Sequence, residues 1–297
     1  MGPDTLTPRV SVGMPVYNRE KYVGASIEAH LKQTYADFEL IVTDNASTDR
    51  SEDVCRAYAA RDSRIKYHRN VENLGASGNY RRCFELARGE YFRWAPSDDL
   101  VSPNLIERAV EVLDRDRSIM VAYGRTKLID GDGNMLGDFD EGLHLMDDHP
   151  SERWKGVYRN IRLGNLQYGL SRTRELRKTG LLRNYGGGDF PLIFEMSLYG
   201  KFYEIPDAFF YRRMHEGTGT TLKDLKEELA FYDPKKHQKF FAREWVHLGA
   251  DYRSVTRSSI EISEKMRIYW FLTRRAIWSR QTLGQELMGA LRHAVRH

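Results

Sequence analysis

This chain of 297 residues has few cysteines and no long apolar run. Its two cysteines, Cys55 and Cys83, do not form a C-x-x-C pair, which argues against a disulfide framework or a cysteine zinc site. The absence of about 18 consecutive apolar residues predicts no transmembrane helix. Residues 1–7 lack the basic and apolar regions of a signal peptide. We therefore expect a protein of the reducing cytoplasm.

The net charge of +4 is small, and it is concentrated at one end of the chain. Residues 265–297 contain seven Lys or Arg and one acid, a balance of +6, so the other 264 residues carry −2. A near-neutral body argues against nucleic-acid binding. Residues 265–278 mix aromatic, aliphatic and basic side chains. This helix could lie on an anionic membrane surface, at the inner face, or pack on the core with a solvated basic rim.

Strand-like and helix-like patterns alternate over residues 1–123. Strands are predicted at residues 10–15, 38–43, 64–69, 90–94 and 118–123, with helices between them. This alternation predicts βαβ units and a mostly parallel sheet with helices on both faces. Further along, residues 130–134 predict a hairpin turn, 138–151 a loop, 190–199 a helix, 202–205 and 209–213 strands, and 222–297 a helical region.

Polar or acidic residues follow three of the predicted strands. Tyr17 and Asn18 follow the first, Asp44 the second, and Asp98 with Asp99 the fourth. The carboxyl ends of parallel strands share one edge, where ligands bind in a crevice. Adjacent carboxylates need a cation or hydrogen bonds, and oxygen ligands suit Mg²⁺ or Mn²⁺. The pattern indicates a nucleotide and metal site, although these aspartates could also be turn and cap residues.

A glycine-containing loop at residues 73–79 precedes a helix that carries Arg81 and Arg82. Gly75 and Gly78 allow a ligand to approach the backbone closely, and one of the two arginines could pair with a phosphate. The spacing matches neither the P-loop nor the dinucleotide fingerprint. On its own, the loop predicts only the start of a helix.

Together these motifs resemble family 2 of the glycosyltransferases, which has the GT-A fold. Four segments carry the resemblance, in the family's order: VGMPVYN, FELIVTDNASTD, NLG, and GEYF followed by Asp98 and Asp99. The resemblance covers residues 9–217 and implies an α/β fold with a Rossmann-like sheet. It also implies a glycosyltransferase domain over residues 1–221, with a nucleotide-sugar half (1–123) and an acceptor half (124–221), and a helical basic extension over 222–297.

The resemblance also implies roles for individual residues. The implied donor-binding set is Pro15, Tyr17, Asn18, Asp44, Asn73, Arg81, Ser97 and Asp98, in which Asp44 contacts the nucleobase and Ser97 serves the ribose. Asp98 would bind Mn²⁺ or Mg²⁺, and Asp99 and His215 are further candidate ligands, although His215 could instead be structural. Pro96 stands where the family has the first aspartate of its D-x-D motif, and proline has no side-chain ligand.

Asp189 is the candidate catalytic residue. It directly precedes the predicted helix at residues 190–199, where an aspartate can act as N-cap. The resemblance implies that Asp189 takes the proton from an acceptor hydroxyl, and the two roles are compatible. One base without a covalent intermediate implies inversion at the anomeric carbon, while the metal neutralises the leaving diphosphate.

The sequence therefore predicts a metal-dependent inverting hexosyltransferase. Its donor would be a nucleotide diphosphate sugar, with UDP as the expected nucleotide. Its acceptor would be a glycan or lipid-linked hydroxyl in cell-surface polysaccharide or glycoconjugate synthesis, with Trp154, Tyr168 and Tyr185 as candidate contacts. Two alternatives stay open. A nucleotidyltransferase would have a Gly-rich loop after strand one, which is absent here. A glycan-binding or scaffolding protein without activity is consistent with Pro96.

Overall fold

The computed structural model describes residues 7–185, 187–215, 227, 231–232 and 242–295. In these residues one sheet contains β1 (Val10–Val16), β2 (Phe38–Asp44), β3 (Ile65–Arg69), β4 (Tyr91–Trp94), β5 (Leu100–Val101), β6 (Ile119–Ile129), β7 (Met135–Phe139), β8 (Leu170–Arg172) and β9 (Lys201–Arg213). The α-helices are α1 (Val23–Leu31), α2 (Ser51–Ala59), α3 (Gly75–Leu86), α4 (Leu105–Arg115), α5 (Pro150–Asn160), α6 (Thr173–Leu176), α7 (Phe190–Tyr199), α8 (Arg243–Arg257), α9 (Ile262–Trp278) and α10 (Arg280–Val295).

The order of strands in the sheet is β3-β2-β1-β4-β8-β6-β9-β5, with β7 paired to β6. Strands β3, β2, β1 and β4 are parallel to one another, and β6 is parallel to β9. Strand β8 is antiparallel to β4 and β6, and β5 is antiparallel to β9. The predicted α/β fold class is confirmed. The parallel pairing also brings the ends of β1, β2 and β4 to one edge, as the sequence predicted.

Both faces of the sheet are covered, which explains why β1 and β2 are buried along their whole length. Helices α1, α2 and α4 contribute to the core on one face through residues such as Ile27, Cys55 and Ile106. Helices α3, α5 and α7 contribute to the other face, for example through Cys83, Trp154 and Ile193. Both cysteines are therefore buried helix residues that fill the core, and both are free thiols.

The second part of the sheet differs from the prediction in two places. The hairpin turn at residues 130–134 is confirmed, since β6 and β7 pair antiparallel across it. The two strands predicted at residues 202–205 and 209–213 are instead one long strand, β9, whose pairing with β6 shifts register between Ile205 and Phe209. Helix α5 was not predicted. Polar Ser151 and Arg153 are buried in it, so its apolar pattern is interrupted.

Helices α8, α9 and α10 pack on the core rather than standing apart from it. Leu248, Ile268, Leu272 and Leu283 from these helices join the same buried cluster as α3 and α7. The packing interpretation of residues 265–278 is therefore correct for one face of α9. The domain boundary at residue 221 and most of residues 222–241, the first part of the helical region predicted over 222–297, lie outside the described residues. The domain division therefore stays a prediction. In the described part of the chain, no helix is long and apolar enough to cross a membrane.

Candidate active site

A cavity of about 590 Å³ opens where β1 and β4 end. This volume is typical of small-molecule sites, which measure about 300–1,000 Å³. The walls come from the segments after β1, β2 and β4, the first turns of α3, and the end of β9. Seven of the predicted site residues line it: Pro15, Tyr17, Asn18, Asn73, Ser97, Asp98 and Asp99.

Asparagine side chains from three segments are joined by hydrogen bonds at one wall of the cavity. The Asn45 Nδ2 donates to Asn73 Oδ1 at 2.7 Å, and the Asn70 Nδ2 donates to Asn45 Oδ1 at 3.0 Å and Asn79 Oδ1 at 2.9 Å. The Asn79 Nδ2 donates in turn to the carbonyl of Thr43 at 2.9 Å. The network fixes the loop that begins α3 against the end of β2, and so gives that side of the cavity a defined shape.

Asp44 lies at the end of β2 and is fully buried. Its Oδ1 accepts from the Ser47 N–H at 2.9 Å, and its Oδ2 accepts from the Tyr67 hydroxyl at 2.8 Å and from the Arg69 guanidinium. Protein donors thus occupy both carboxylate oxygens, and Asp44 is not among the residues that line the cavity. Direct contact between Asp44 and a nucleobase stays a prediction.

Asp98 lies on the cavity wall between two basic side chains. Its Oδ2 is 3.2 Å from Arg19 Nε and 3.0 Å from His215 Nε2. Burial alone would raise the pKa of Asp98, but the hydrogen bond from His215 and the charge of Arg19 outweigh it, so the pKa is lowered. The Asp98 carboxylate is therefore ionised, and the structure brings His215 to it from 117 residues along the chain. The metal-binding role of His215 stays a prediction.

The side chain of Asp99 has different hydrogen-bond partners from that of Asp98. Its Oδ1 accepts a hydrogen bond from the backbone N–H of Arg213 at 2.7 Å, which fastens the loop after β4 to the end of β9. Burial and the adjacent charge of Asp98 raise the pKa of Asp99 well above its usual range. This contact does not favour Asp99 as a metal ligand, and that role stays a prediction.

Asp189 caps α7, as its position in the sequence predicted. Its Oδ1 accepts from the Phe190 N–H at 3.1 Å, and its Oδ2 accepts from the Gln167 Nε2 at 3.3 Å. Gly164 also adjoins it, since a Cβ there would lie 3.2 Å from Asp189 Oδ2. Burial raises the pKa of Asp189 to about 6, and the nearby charge of Arg212, which lines the cavity, lowers it only in part. A carboxylate with such a pKa suits a general base near neutral pH.

Comparison with known families agrees with this geometry. The family model described as "Glycosyl transferase family 2" matches residues 11–174, more than half of the chain. The chain belongs to glycosyltransferase family 2. The matched region contains the cavity residues from Pro15 to Tyr168, but it ends before Asp189, Arg212 and His215.

Curated proteins named as glycosyltransferases match part of this chain. An uncharacterized glycosyltransferase of Methanocaldococcus jannaschii is 34% identical over 134 residues, which are 44% of this chain and 46% of that protein. The putative glycosyltransferase EpsE of Bacillus subtilis is 38% identical over 115 residues, 38% of this chain and 41% of that protein. The chain thus matches less than half the length of these curated relatives.

Solved structures resemble this family 2 chain over most of its length. S. aureus TarS 1-349, solved in complex with UDP-GlcNAc, has a TM-score of 0.65 at 18% identity, covering 92% of this chain and 74% of that one. The mannosyltransferase PcManGT from Pyrobaculum calidifontis, in complex with GDP-Man and Mn²⁺, has a TM-score of 0.55 at 16% identity, covering 97% and 76%. At these identities the similarity establishes the shared fold.

Two residues with predicted site contacts are positioned differently in the structure. The Arg81 guanidinium donates to the carbonyls of Gly180 at 3.2 Å and Leu182 at 3.0 Å, and Arg81 is not a lining residue. These contacts give no support to its predicted phosphate role. Trp154, a candidate acceptor contact, is buried in the core and cannot reach an acceptor. Tyr168, by contrast, lines the cavity.

Several lining residues were not predicted from the sequence. They are Arg19, Asn45, Asn79, Tyr80, Arg212 and Arg213. Arg19 and Asn45 directly follow Asn18 and Asp44, so adjacency to the recognised motifs was an available signal. Arg212 and Arg213 lie at the end of β9, which is joined to the loop after β4 by the hydrogen bond from the Arg213 N–H to Asp99, a contact between distant segments that local pattern does not reveal.

The donor set fits a divalent cation held partly by substrate. Asp98 offers an ionised carboxylate and His215 a ring nitrogen, while Pro96 offers no side-chain ligand. Within the residues that the structure describes, no group of three or more His, Cys, Asp or Glu side chains could hold a metal. Mg²⁺ commonly uses one or two protein ligands with substrate phosphates and water. The present residues therefore suit a site that a bound diphosphate completes.

Proposed function

We propose that this protein is an inverting glycosyltransferase that moves a sugar from a nucleotide diphosphate sugar to an acceptor hydroxyl. The observation that carries the proposal is the half-buried Asp189 carboxylate. It is held by Gln167 and by the start of α7, and it interacts electrostatically with Tyr168 and Arg212 of the cavity wall. Asp189 would accept the proton of the acceptor hydroxyl as that oxygen attacks the anomeric carbon. The glycosidic bond to the diphosphate breaks in the same step.

Three guanidinium groups support a diphosphate donor. Arg19, Arg212 and Arg213 line the cavity together with the ionised carboxylate of Asp98. Backbone carbonyls and side chains of the cavity wall hold these arginines in place, as when Arg213 Nε donates to the Asp98 carbonyl at 2.8 Å. Fixed arginines are effective partners for phosphate oxygens. UDP is the proposed nucleotide because S. aureus TarS was solved with UDP and with UDP-GlcNAc. Its TM-score of 0.65 is higher than the 0.55 of PcManGT, which was solved with GDP-Man.

Mn²⁺ or Mg²⁺ is the proposed cofactor. Asp98 and His215 would hold the cation, and a bound cation neutralises the charge that develops on a leaving diphosphate. The Asp98 carboxylate would contact both the cation and Arg19, whose Nε lies 3.2 Å from Asp98 Oδ2. Arg19 would then remain close to the phosphates after donor binding. The acceptor is proposed to be a glycan or lipid-linked hydroxyl.

A thermal-shift panel of nucleotides and nucleotide sugars tests this proposal. We expect UDP and a UDP-sugar, with Mn²⁺ present, to stabilise the chain by about 2.7 kcal/mol at a concentration of 100 times Kd. The variant Ala76→Phe, which adds a ring to a lining residue at the start of α3, should lose the stabilisation. The matched control Ala57→Phe, on the exposed side of α2, should keep it. If no nucleoside diphosphate stabilises the chain, or if Ala76→Phe is stabilised like the control, the cavity is not a donor site.

The pH dependence of kcat/KM should report on Asp189. Its pKa is raised to about 6 by burial, and only the ionised form accepts a proton, so kcat/KM should rise with pH through a midpoint near 6. The hydrogen bond from Gln167 lowers this pKa. The variant Gln167→Leu should therefore move the midpoint to higher pH. If kcat/KM does not rise with pH in this range, Asp189 is not the titrating base. The same conclusion holds if Gln167→Leu leaves the midpoint of the rise unchanged.

A second candidate function rests on Pro96. Proline at the first position of the D-x-D motif leaves Asp98 as the one carboxylate of that motif. A glycan-binding or scaffolding protein without turnover could retain such a cavity. This alternative predicts nucleotide-sugar binding with no release of nucleoside diphosphate under any metal condition, which distinguishes it from the transferase.

A further inference from the structure

Helix α9 has two apolar faces. Ile268 and Leu272 are buried in the core, as expected for a surface helix. On the other side, four large apolar side chains are between 55% and 78% exposed: Ile262, Met266, Trp270 and Ile277. At about 100° per residue, these four fall within an arc of about 80°, nearly opposite the buried face. We call this set the outer face of α9.

The outer face of α9 is an unusual surface for a soluble helix, which normally turns polar side chains to water. Single exposed apolar residues need no explanation, but a continuous row of them marks an interaction site. The next helix, α10, also has exposed apolar side chains, those of Leu287, Met288 and Leu291. The polar positions along the outer face are Ser263 and Thr273, so no carboxylate interrupts it.

Basic side chains flank this apolar row. Residues 261–292 contain six Lys or Arg and three acids, a net charge of +3. Lys265 lies along one edge of the outer face, and Arg267 and Arg274 lie along the other, where the Arg274 guanidinium is 5.0 Å from the centre of the Trp278 ring.

The acids near these bases are already engaged. Glu286 accepts hydrogen bonds from the backbone at the start of α8, and Glu264 is buried against Arg267 and the Ser151 N–H. Glu244 and Asp251 of α8 both bind Arg275. Arg267 and Arg275 are balanced by these acids, so the positive charge beside the outer face comes from Lys265 on one edge and Arg274 on the other.

We propose that the outer face of α9 docks on the surface of an anionic membrane. Apolar and aromatic side chains bordered by Lys and Arg fit such a surface, because the rings and aliphatic chains enter the boundary below the headgroups while the cations meet lipid phosphates. A second copy of this chain fits less well, because two such faces would bring like charges together. The proposal does not depend on the donor chemistry of the cavity.

Vesicle flotation of the full chain tests this proposal. The chain should float with vesicles of phosphatidylcholine mixed with phosphatidylglycerol, with an affinity about tenfold or more above that for phosphatidylcholine alone, and high salt should reduce the difference. The double variant Met266→Ser/Trp270→Ser should bind about tenfold or more weakly, because it removes the two side chains at the centre of the row. Both positions are exposed, so the fold should be retained.

A matched control removes apolar side chains from a different surface. Val71 and Leu136 are also exposed, and Val71→Ser/Leu136→Ser should float like the unmodified chain. Equal binding by the two double variants, or equal binding to neutral and anionic vesicles, would overturn the proposal. A third outcome would also overturn it. If the chain sediments as a dimer without lipid, and only Met266→Ser/Trp270→Ser is a monomer, the outer face is a subunit interface.

Discussion

Replacing Asp189 by Asn is expected to lower kcat about 10²–10⁴-fold, because the acceptor hydroxyl then loses its general base. Donor affinity should be unchanged, since Asp189 is not among the residues that line the donor cavity. Asn is as good an N-cap as Asp, so α7 should keep its first turn. Steady-state turnover together with the thermal shift caused by UDP measures both effects in one preparation.

The control for this variant is Asp251→Asn in α8. Asp251 is a buried carboxylate whose pKa is likewise raised by burial, to about 7, but it binds Arg275 on the C-terminal helices. Asp251→Asn should lower stability and leave kcat nearly unchanged. Turnover of Asp189→Asn close to that of the unmodified chain would remove Asp189 from the mechanism.

The second large effect is expected at Asp98. Asp98→Asn keeps the side-chain volume but removes the one ionised carboxylate that faces both Arg19 and His215. A metal that neutralises a leaving diphosphate contributes several kcal/mol, so kcat/KM should fall by about 100-fold or more. The concentration of Mn²⁺ that gives half-maximal rate should rise. Metal titration of the initial rate measures both quantities.

Asp99→Asn is the matched control for Asp98. Asparagine can still accept the hydrogen bond from the Arg213 N–H that Asp99 accepts, so the link between the loop and β9 should persist. We expect a much smaller loss of kcat/KM and little change in Mn²⁺ dependence. Equal losses in the two variants would mean that Asp98 has no special role in holding a cation.

The sequence was sufficient to predict the edge of the sheet at which the site lies. Strands β1, β2 and β4 have strong local patterns, and parallel strands of βαβ units place their carboxyl ends together. Tyr17, Asn18 and Asp98 could therefore be assigned to one site before any contact was known. The N-cap role of Asp189 was equally local, because it depends only on the start of α7.

Contacts between distant segments could not be predicted in this way. Gln167 donates to Asp189 only because the 3₁₀ turn at Asn165–Tyr168 packs beside α7, and no local pattern encodes that packing. Arg81 illustrates the same limit. A basic residue after a glycine-containing loop suggested a phosphate contact, whereas its guanidinium donates to the carbonyls of Gly180 and Leu182, which the local pattern did not indicate.

The outer face of α9 illustrates a third limit. From composition, residues 265–278 fitted both a membrane-surface helix and a helix packed on the core. The structure shows the packed face, and it also shows which apolar residues remain exposed after packing. Periodicity alone could not separate the two sets, because apolar residues occur on both sides of this helix.

Release of nucleoside diphosphate from a panel of UDP- and GDP-sugars, with and without Mn²⁺, tests the central claim most directly. Candidate acceptor glycans are supplied, and the unmodified chain is compared with Asp189→Asn. We predict Mn²⁺-dependent release from a UDP-sugar by the unmodified chain and almost none by Asp189→Asn, although UDP stabilises both proteins equally. Equal release by the two proteins would contradict the role of Asp189. Binding without release from any donor would contradict the assignment as a transferase.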